Sequence, residues 1–148
     1  MRYTLLFSIL LLITWSCTKT KFSSTPSLKF KSVNTTHLYN QQLIEFTLSF
    51  TDAEGDFSDS GSIFVEEIVP NCPNSGGGQV FVLPNFPTTK NQKAEINVTL
   101  GYNVGNGYTN VAPLCPPQND TATFRFVLKD DAGHLSDTAS SPTIIIYN

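Results

Sequence analysis

Residues 42 to 50, QLIEFTLSF, decide the fold class of this 148-residue chain. Every second side chain from Ile44 to Phe50 is large and apolar, and the side chains between them are polar. This period of two is typical of a β-strand that turns one face to a hydrophobic core and the other face to water. The stretch therefore predicts an amphipathic strand.

The remainder of the chain repeats this kind of segment and shows no sustained helical period. The same alternation recurs in residues 94–100 and 123–129. Together with four further short runs of β-branched or aromatic residues, this predicts an all-β fold: a single antiparallel sandwich of about seven strands, of the immunoglobulin (Ig) type, over residues 27–148. In this pattern the chain resembles bacterial Ig-like modules. The four further runs are residues 28–33, 62–69, 79–83 and 143–147.

The direction of successive strands predicts which loops lie together. If each connection reverses the chain, the loops fall at two opposite ends of the sandwich, and an N-terminal tether joins one of them. We call these the tethered end and the far end. The tethered end is predicted to hold loops 51–61, 84–92 and 130–141, and the far end loops 34–41, 70–78 and 103–120.

The N-terminal text MRYTLLFSILLLITWSC has one basic residue, an apolar run over residues 5–13 and then Ser16-Cys17. The run is too short to span a bilayer as a helix, and the order of its parts is that of an export signal. The segment resembles the signal of bacterial lipoprotein precursors, in the looser form of the Bacteroidota type, because the two residues before Ser16 depart from the usual cleavage box.

This resemblance implies a signal peptide over residues 1–16, a lipidated Cys17 that opens a flexible tether over residues 17–26, and the domain that follows. An acylated (palmitate-bearing) Cys17 would anchor the protein to a membrane surface. The expected location is the outer membrane of a bacterial cell envelope, with the periplasmic and surface faces both open. Ordinary secretion with cleavage near Ser16 is one alternative; an uncleaved anchor is another, which the short apolar run disfavours.

The other two cysteines, Cys72 and Cys115, lie in the Pro- and Asn-rich segments VPNCPNS and APLCPPQ. An exported chain can keep a disulfide, so we expect these two residues to pair. A metal site is the weaker interpretation, because neither cysteine has a second Cys or a His at ligand spacing.

The ends of two predicted strands share a local sequence pattern, SFTDAEGDFSDS from Ser49 and VLKDDAGHLSDT from Val127. Turn chemistry accounts for the shared Asp and Gly, since Asp accepts hydrogen bonds from the backbone two residues on and Gly supplies a positive φ. The apolar residues that follow, Phe57 and Leu135, are expected to pack back into the core.

The same two turns gather acidic side chains at the tethered end, which is costly without a cation or wide solvation. A Ca²⁺ ion and turn chemistry alone are both open as explanations. An EF-hand is excluded, because Phe57 stands where that loop needs Gly. The candidate calcium ligands are Asp52, Glu54, Asp56, Asp130 and Asp131, with Asp59 and Asp137 nearby.

The segment GYNVGNGYTNVAPLCPPQND, residues 101–120, belongs to the far end. Tyr gives rigid contact area and Asn gives adaptable hydrogen bonds, so Tyr102 and Tyr108 are candidate residues of a binding loop. An exposed loop that needs its disulfide only for order is the equal alternative. A glycan or an envelope protein is the ligand class we expect.

Catalytic motifs are absent from the sequence, and its only histidines are His37 and His134. No G-x-S-x-G, H-E-x-x-H or P-loop occurs, so we expect no enzyme. The net charge of −3, without a Lys/Arg cluster, argues against nucleic acid as a partner. The sequence favours a non-enzymatic binding or adhesion module of the envelope, with a structural or assembly component of an outer-membrane complex as the alternative.

Overall fold

The structure, a computed structural model, describes residues 22–57, 61–73, 75–105 and 107–148. The predicted signal peptide, the predicted lipidation site Cys17 and the first part of the tether lie outside these residues. Over the described ranges the secondary structure is all β. No helix among them is long and apolar enough to cross a bilayer.

The seven predicted strands are all present, with bounds that differ by a few residues from the prediction. Two strands of two residues each were not predicted, because a pair of residues has no period. The strands of the described residues are β1 Ser27–Val33, β2 His37–Leu38, β3 Leu43–Asp52, β4 Ser62–Ile68, β5 Gly78–Val82, β6 Gln92–Gly101, β7 Asp120–Lys129, β8 Ala139–Ser140 and β9 Ile144–Ile146.

The strands form two sheets with the order of an Ig-like sandwich. One sheet runs β1-β3-β6, and the other runs β2-β9-β7-β4-β5 with β8 beside β7. Every pair is antiparallel except β2 with β9. In Ig-like sandwiches the first, second and fifth strands form one sheet, and in the other sheet the sixth strand lies between the third and the seventh. If the two-residue strands β2 and β8 are left out, the seven remaining strands divide between the sheets in the same way. The predicted fold class is confirmed.

The core lies between the sheets and is filled from the alternating positions. The ring of Phe46 on β3 packs against the rings of Phe124 and Phe126 on β7, with centroid distances of 4.9 Å and 5.2 Å. These three side chains are at most 1% exposed. A buried Phe contributes about 1.5–3 kcal/mol by transfer out of water, so this contact between strands of opposite sheets is a major part of the stability.

Backbone hydrogen bonds and the disulfide join loops that were predicted to lie at the same end. At the tethered end the Ala53 N–H donates to the Ser23 carbonyl at 2.9 Å, and the Asn91 N–H donates to the Ala53 carbonyl at 2.8 Å. At the far end Cys72 and Cys115 form the predicted disulfide, with their Cα atoms 5.8 Å apart. The tether therefore enters the sandwich opposite the disulfide.

Two residues lie where the sequence did not predict them. Leu135 is 58% exposed rather than packed in the core, whereas Phe57 is 1% exposed as predicted. Leu135 forms a β-bridge with Lys129, an exposed position of β7. Because paired residues share a face, Leu135 points outward. Tyr102, predicted for a binding loop, is only 7% exposed, since it extends the buried alternation of β6 past the end of the strand.

Candidate functional site

At the tethered end, the last core-facing position in the alternation of two strands is an aspartate. On β3 the buried positions continue from Phe50 to Asp52, and on β7 they continue from Leu128 to Asp130. Both aspartates are 0% exposed. Because β3 and β7 belong to opposite sheets, the alternation places these two carboxylates face to face between the sheets.

Asp56, in the turn after β3, completes the site. Asp52, Asp56 and Asp130 each offer a carboxylate oxygen, and these oxygens lie within 4.8 Å of one another. We call these residues the three-aspartate cluster. The Oδ1 atoms of Asp52 and Asp56 are buried without a hydrogen-bond partner among the described residues.

The turn around Gly55 holds Asp52 in place. The Asp52 Oδ2 atom accepts hydrogen bonds from the N–H of Glu54 at 2.9 Å and of Gly55 at 2.5 Å. Gly55 has φ +66°, and a Cβ added to it would lie 2.1 Å from the Thr89 carbonyl oxygen. The turn therefore requires glycine both for its conformation and for its close approach to the connection between β5 and β6.

His134 contacts the cluster from the second turn. The Oδ1 atom of Asp130 accepts a hydrogen bond from the His134 backbone N–H at 2.7 Å, and the Oδ2 atom lies 2.8 Å from His134 Nδ1. The hydrogen bond between the His134 ring and Asp130 raises the pKa of His134. Burial raises the pKa of Asp52, opposed by its two backbone hydrogen bonds and aided by the charges of Asp56 and Asp130. Neighbouring carboxylates of this kind suit a hard cation, and the Asp130 carboxylate is also hydrogen-bonded to the His134 imidazole.

The cluster is smaller than the set of calcium ligands expected from the sequence. Three of the five expected residues belong to it, and Glu54 and Asp131 do not. The side chains of Glu54 and Asp137 are exposed, and Asp59 lies outside the described residues. Extending the period-two alternation by one step beyond Phe50 and Leu128 would have singled out Asp52 and Asp130.

The far end carries an aromatic group that the sequence did not predict. The rings of Tyr39 and Tyr147 stack with centroids 4.4 Å apart and planes at 7°, and the ring of His37 lies 5.9 Å from that of Tyr147. We call these three residues the aromatic cluster. Hydrogen bonding with the Tyr39 side chain raises the pKa of Tyr147. Tyr39 is 47% exposed, so the stack offers a flat ring to solvent.

The predicted binding loop lies next to the aromatic cluster. Asn103 of this loop donates from Nδ2 to Oδ1 of Asn40, the neighbour of Tyr39, at 2.9 Å. Tyr108, predicted for the loop, is 42% exposed. The far end thus combines two exposed tyrosines with asparagine amides, whereas the buried Tyr102 serves the core.

A second pair of acidic residues occupies core-facing positions near the far end. Glu67 continues the core-facing alternation of β4, and Asp120 begins that of β7. Glu67 Oε1 and Asp120 Oδ1 have no hydrogen-bond partner among the described residues. Burial, and secondarily the charge of Asp120, raises the pKa of Glu67 to about 7. Glu67 lines a cavity of about 40 Å³ together with Val65, Leu100 and Phe124.

No protein-family model and no curated protein sequence matches this chain. Among solved structures, the alkylpurine DNA glycosylase AlkC of Pseudomonas fluorescens, bound to DNA containing an abasic site analog, aligns with a TM-score of 0.52 and 8% identity over 85% of this chain and 31% of that chain. The sporulation control protein Spo0M of Bacillus subtilis aligns with a TM-score of 0.47 and 6% identity, over 85% and 51%.

A Niemann-Pick type C2 protein of the Japanese carpenter ant aligns with a TM-score of 0.48 and 11% identity, over 85% of this chain and 97% of that chain. This chain spans about half the length of Spo0M and about a third of the length of AlkC. The likeness to AlkC is one of fold alone. The strands and sheets of this chain define its class as an all-β sandwich.

Proposed function

We propose that this chain is a lipid-anchored protein of a bacterial outer membrane that acts as a non-enzymatic binding or adhesion accessory module. The observation that carries the proposal is the text MRYTLLFSILLLITWSC, in which Cys17 stands at the position of the acyl acceptor. Acyl chains on Cys17 would hold the protein at the membrane surface.

The position of the tether supports a role for the far end in binding. The Ala53 N–H donates to the Ser23 carbonyl at 2.9 Å, so the chain joins the sandwich at the tethered end. From Cys17 to Ser23 the chain reaches at most about 20 Å when extended. The tethered end therefore stays near the membrane, and the far end is the surface that faces away from it.

The composition of the far end favours a glycan as the ligand. The exposed rings of Tyr39 and Tyr108 offer apolar faces, on which the C–H face of a sugar ring can pack. The amides of Asn40 and Asn103, which bond to each other at 2.9 Å, can exchange hydrogen bonds with sugar hydroxyls. Tyrosine and asparagine are the residues that binding loops use for rigid and for adaptable contacts.

Binding to an array of immobilised bacterial polysaccharides and oligosaccharides tests this proposal. We expect retention of the wild-type protein on at least one glycan and a loss of at least about tenfold in affinity for Tyr39→Ala and for Tyr108→Ala. Tyr39→Phe keeps the ring and is the matched control, expected to bind like the wild type. Retention that neither alanine variant weakens would contradict the proposal, as would no retention on any glycan.

A different surface favours the alternative function, a structural or assembly component of an outer-membrane complex without a small-molecule ligand. Strand β5 is an edge strand, and Val80 and Val82 are 65% and 73% exposed on its outer face, beside Phe64 of β4 at 38%. An apolar edge strand can pair with a strand of another protein.

The size of the detergent-solubilised protein on native gels separates the two functions. In the alternative, a complex larger than the monomer persists in Tyr39→Ala and is lost in Val80→Lys, because a charge on the edge opposes strand pairing. In the proposed function, Val80→Lys leaves glycan retention unchanged.

A further inference from the structure

We propose that Asp52, Asp56 and Asp130 hold one Ca²⁺ ion between the two sheets at the tethered end. This inference concerns the end of the sandwich opposite the proposed glycan surface. It does not depend on that function.

The first observation is a buried carboxylate oxygen that lacks a partner. Asp52 is 0% exposed, and its Oδ2 atom accepts two backbone hydrogen bonds from its own turn. Its Oδ1 atom has no partner among the described residues, and neither has Oδ1 of Asp56. A buried polar atom of this kind is costly unless a hydrogen bond or an ion satisfies it.

The second observation is the chemistry and the spacing of the donors. All three side chains offer carboxylate oxygen, which hard cations prefer to nitrogen or sulfur. The oxygens lie within 4.8 Å of one another. Oxygens this close can share one ion, and Ca²⁺ tolerates an irregular ligand geometry, whereas Mg²⁺ requires a near-ideal octahedron.

The charges around the cluster leave room for a dication. Among the described residues, no lysine or arginine forms an ion pair with any of the three aspartates. His134 bonds to Asp130 through its backbone N–H and its ring. A carboxylate oxygen that accepts one hydrogen bond keeps a second lone pair, so Asp130 can ligate an ion while His134 fixes its orientation.

An ion at this place would join the two sheets. Asp52 and Asp56 belong to the end of β3 and the turn after it, and Asp130 follows β7 in the other sheet. The backbone already links these turns, since the Asp131 N–H donates to the Asp56 carbonyl at 2.8 Å. We therefore expect Ca²⁺ to raise the melting temperature by holding the two turns together.

Thermal unfolding of the mature protein, purified in detergent and treated with EDTA, tests this inference. Addition of CaCl₂ at about a hundred times Kd should raise Tm by about 10 °C. The variant Asp56→Asn should lose most of this shift. In EDTA its Tm should equal or exceed that of the wild type, because one of three neighbouring negative charges is gone. The variant Asp137→Asn removes an exposed carboxylate from the loop after β7 and should keep the full shift.

Three outcomes of the melting experiment would overturn the inference. The first is no shift of the wild-type Tm at about 10 mM Ca²⁺, a concentration that covers the weak range of extracellular sites. The second is an equal Tm shift in Asp56→Asn, and the third is an equal Tm shift with MgCl₂ in place of CaCl₂. Calorimetric titration of the EDTA-treated wild type with CaCl₂ gives a measurement independent of any variant. One ion per chain supports the site, and no binding heat at any temperature overturns it.

Discussion

The ring of Tyr39 lies parallel to the ring of Tyr147, with centroids 4.4 Å apart, and joins strand β2 to the C-terminal end of the chain. Such a stack contributes about 0.5–1.5 kcal/mol beyond the area that it buries. Tyr39→Ala should therefore lower the free energy of unfolding by about 1–2 kcal/mol and leave the protein folded. Urea denaturation measures this loss, and a much larger one would show that Tyr39 supports the core rather than a surface.

Gly55 is predicted to be the most sensitive glycine in the chain. Gly55→Ala places a methyl group 2.1 Å from the Thr89 carbonyl oxygen at φ +66°. A left-handed conformation alone costs about 1–2 kcal/mol, and the clash adds to it, so we expect a loss of at least about 2 kcal/mol. Gly107→Ala is the matched control: φ is +84° there, and nothing lies within 4 Å. Equal losses in the two variants would contradict the role of Thr89.

Glu67 predicts an unusual dependence of stability on pH. Burial raises its pKa from the ordinary 4.5 to about 7. Because the folded state holds the proton more tightly, the contribution of Glu67 is greatest below pH 4.5 and is lost as the pH rises through about 7. Glu67→Gln should remove this decline and raise the stability at pH 8 by up to about 3 kcal/mol. Melting curves between pH 4 and pH 8 measure it.

The control for this experiment is the neighbouring residue. Glu66→Gln removes a carboxylate from the opposite face of the same strand, where the Glu66 side chain is 42% exposed beside Arg125. It should not reproduce the effect of Glu67→Gln. A wild-type Tm that rises steadily from pH 5 to pH 8, with no gain in Glu67→Gln, would contradict the protonated state of Glu67.

The disulfide is predicted to stabilise the whole domain against unfolding without taking part in the three-aspartate cluster. Cys72 and Cys115 are separated by 43 residues, and a loop of this size gives about 3–4 kcal/mol in the chain-entropy model. The double variant Cys72→Ser/Cys115→Ser should lose this amount in urea denaturation, and reduced wild-type protein should lose a similar amount. Its Tm should still respond to Ca²⁺, because the three-aspartate cluster lies at the other end. An unchanged urea midpoint would contradict the prediction.

The fold could be predicted from the sequence wherever the alternation is long enough to be seen. Strands β3, β6 and β7 each have ten residues, and the buried positions of β3 and β7 follow the period of two throughout. The two-residue strands β2 and β8 could not be predicted, because they exist only through pairing with β9 and β7. The prediction that Leu135 packs into the core was wrong for a similar reason, because the β-bridge of Leu135 to Lys129 decides which way its side chain faces.

The candidate sites could be predicted only in part. The sequence predicted five candidate ligands without separating the three that form the cluster. Which residues belong to it depends on the conformation of the turn at Gly55, which includes Asp56 and leaves out Glu54. Tyr39 and Tyr147 lie far apart in sequence, and the parallel pairing of β2 with β9 brings them together. No local pattern contains such a contact.

Mass spectrometry of the N-terminus of the protein, isolated from the membrane fraction, tests the central claim most directly. We expect a mature chain that begins at Cys17, with the mass of a diacylglyceryl group on the sulfur and an acyl chain on the amine. Cys17→Ser should abolish the lipid mass and release the protein from the membrane. A mature chain with an unmodified Cys17 would contradict the account, as would a chain that still begins at Met1.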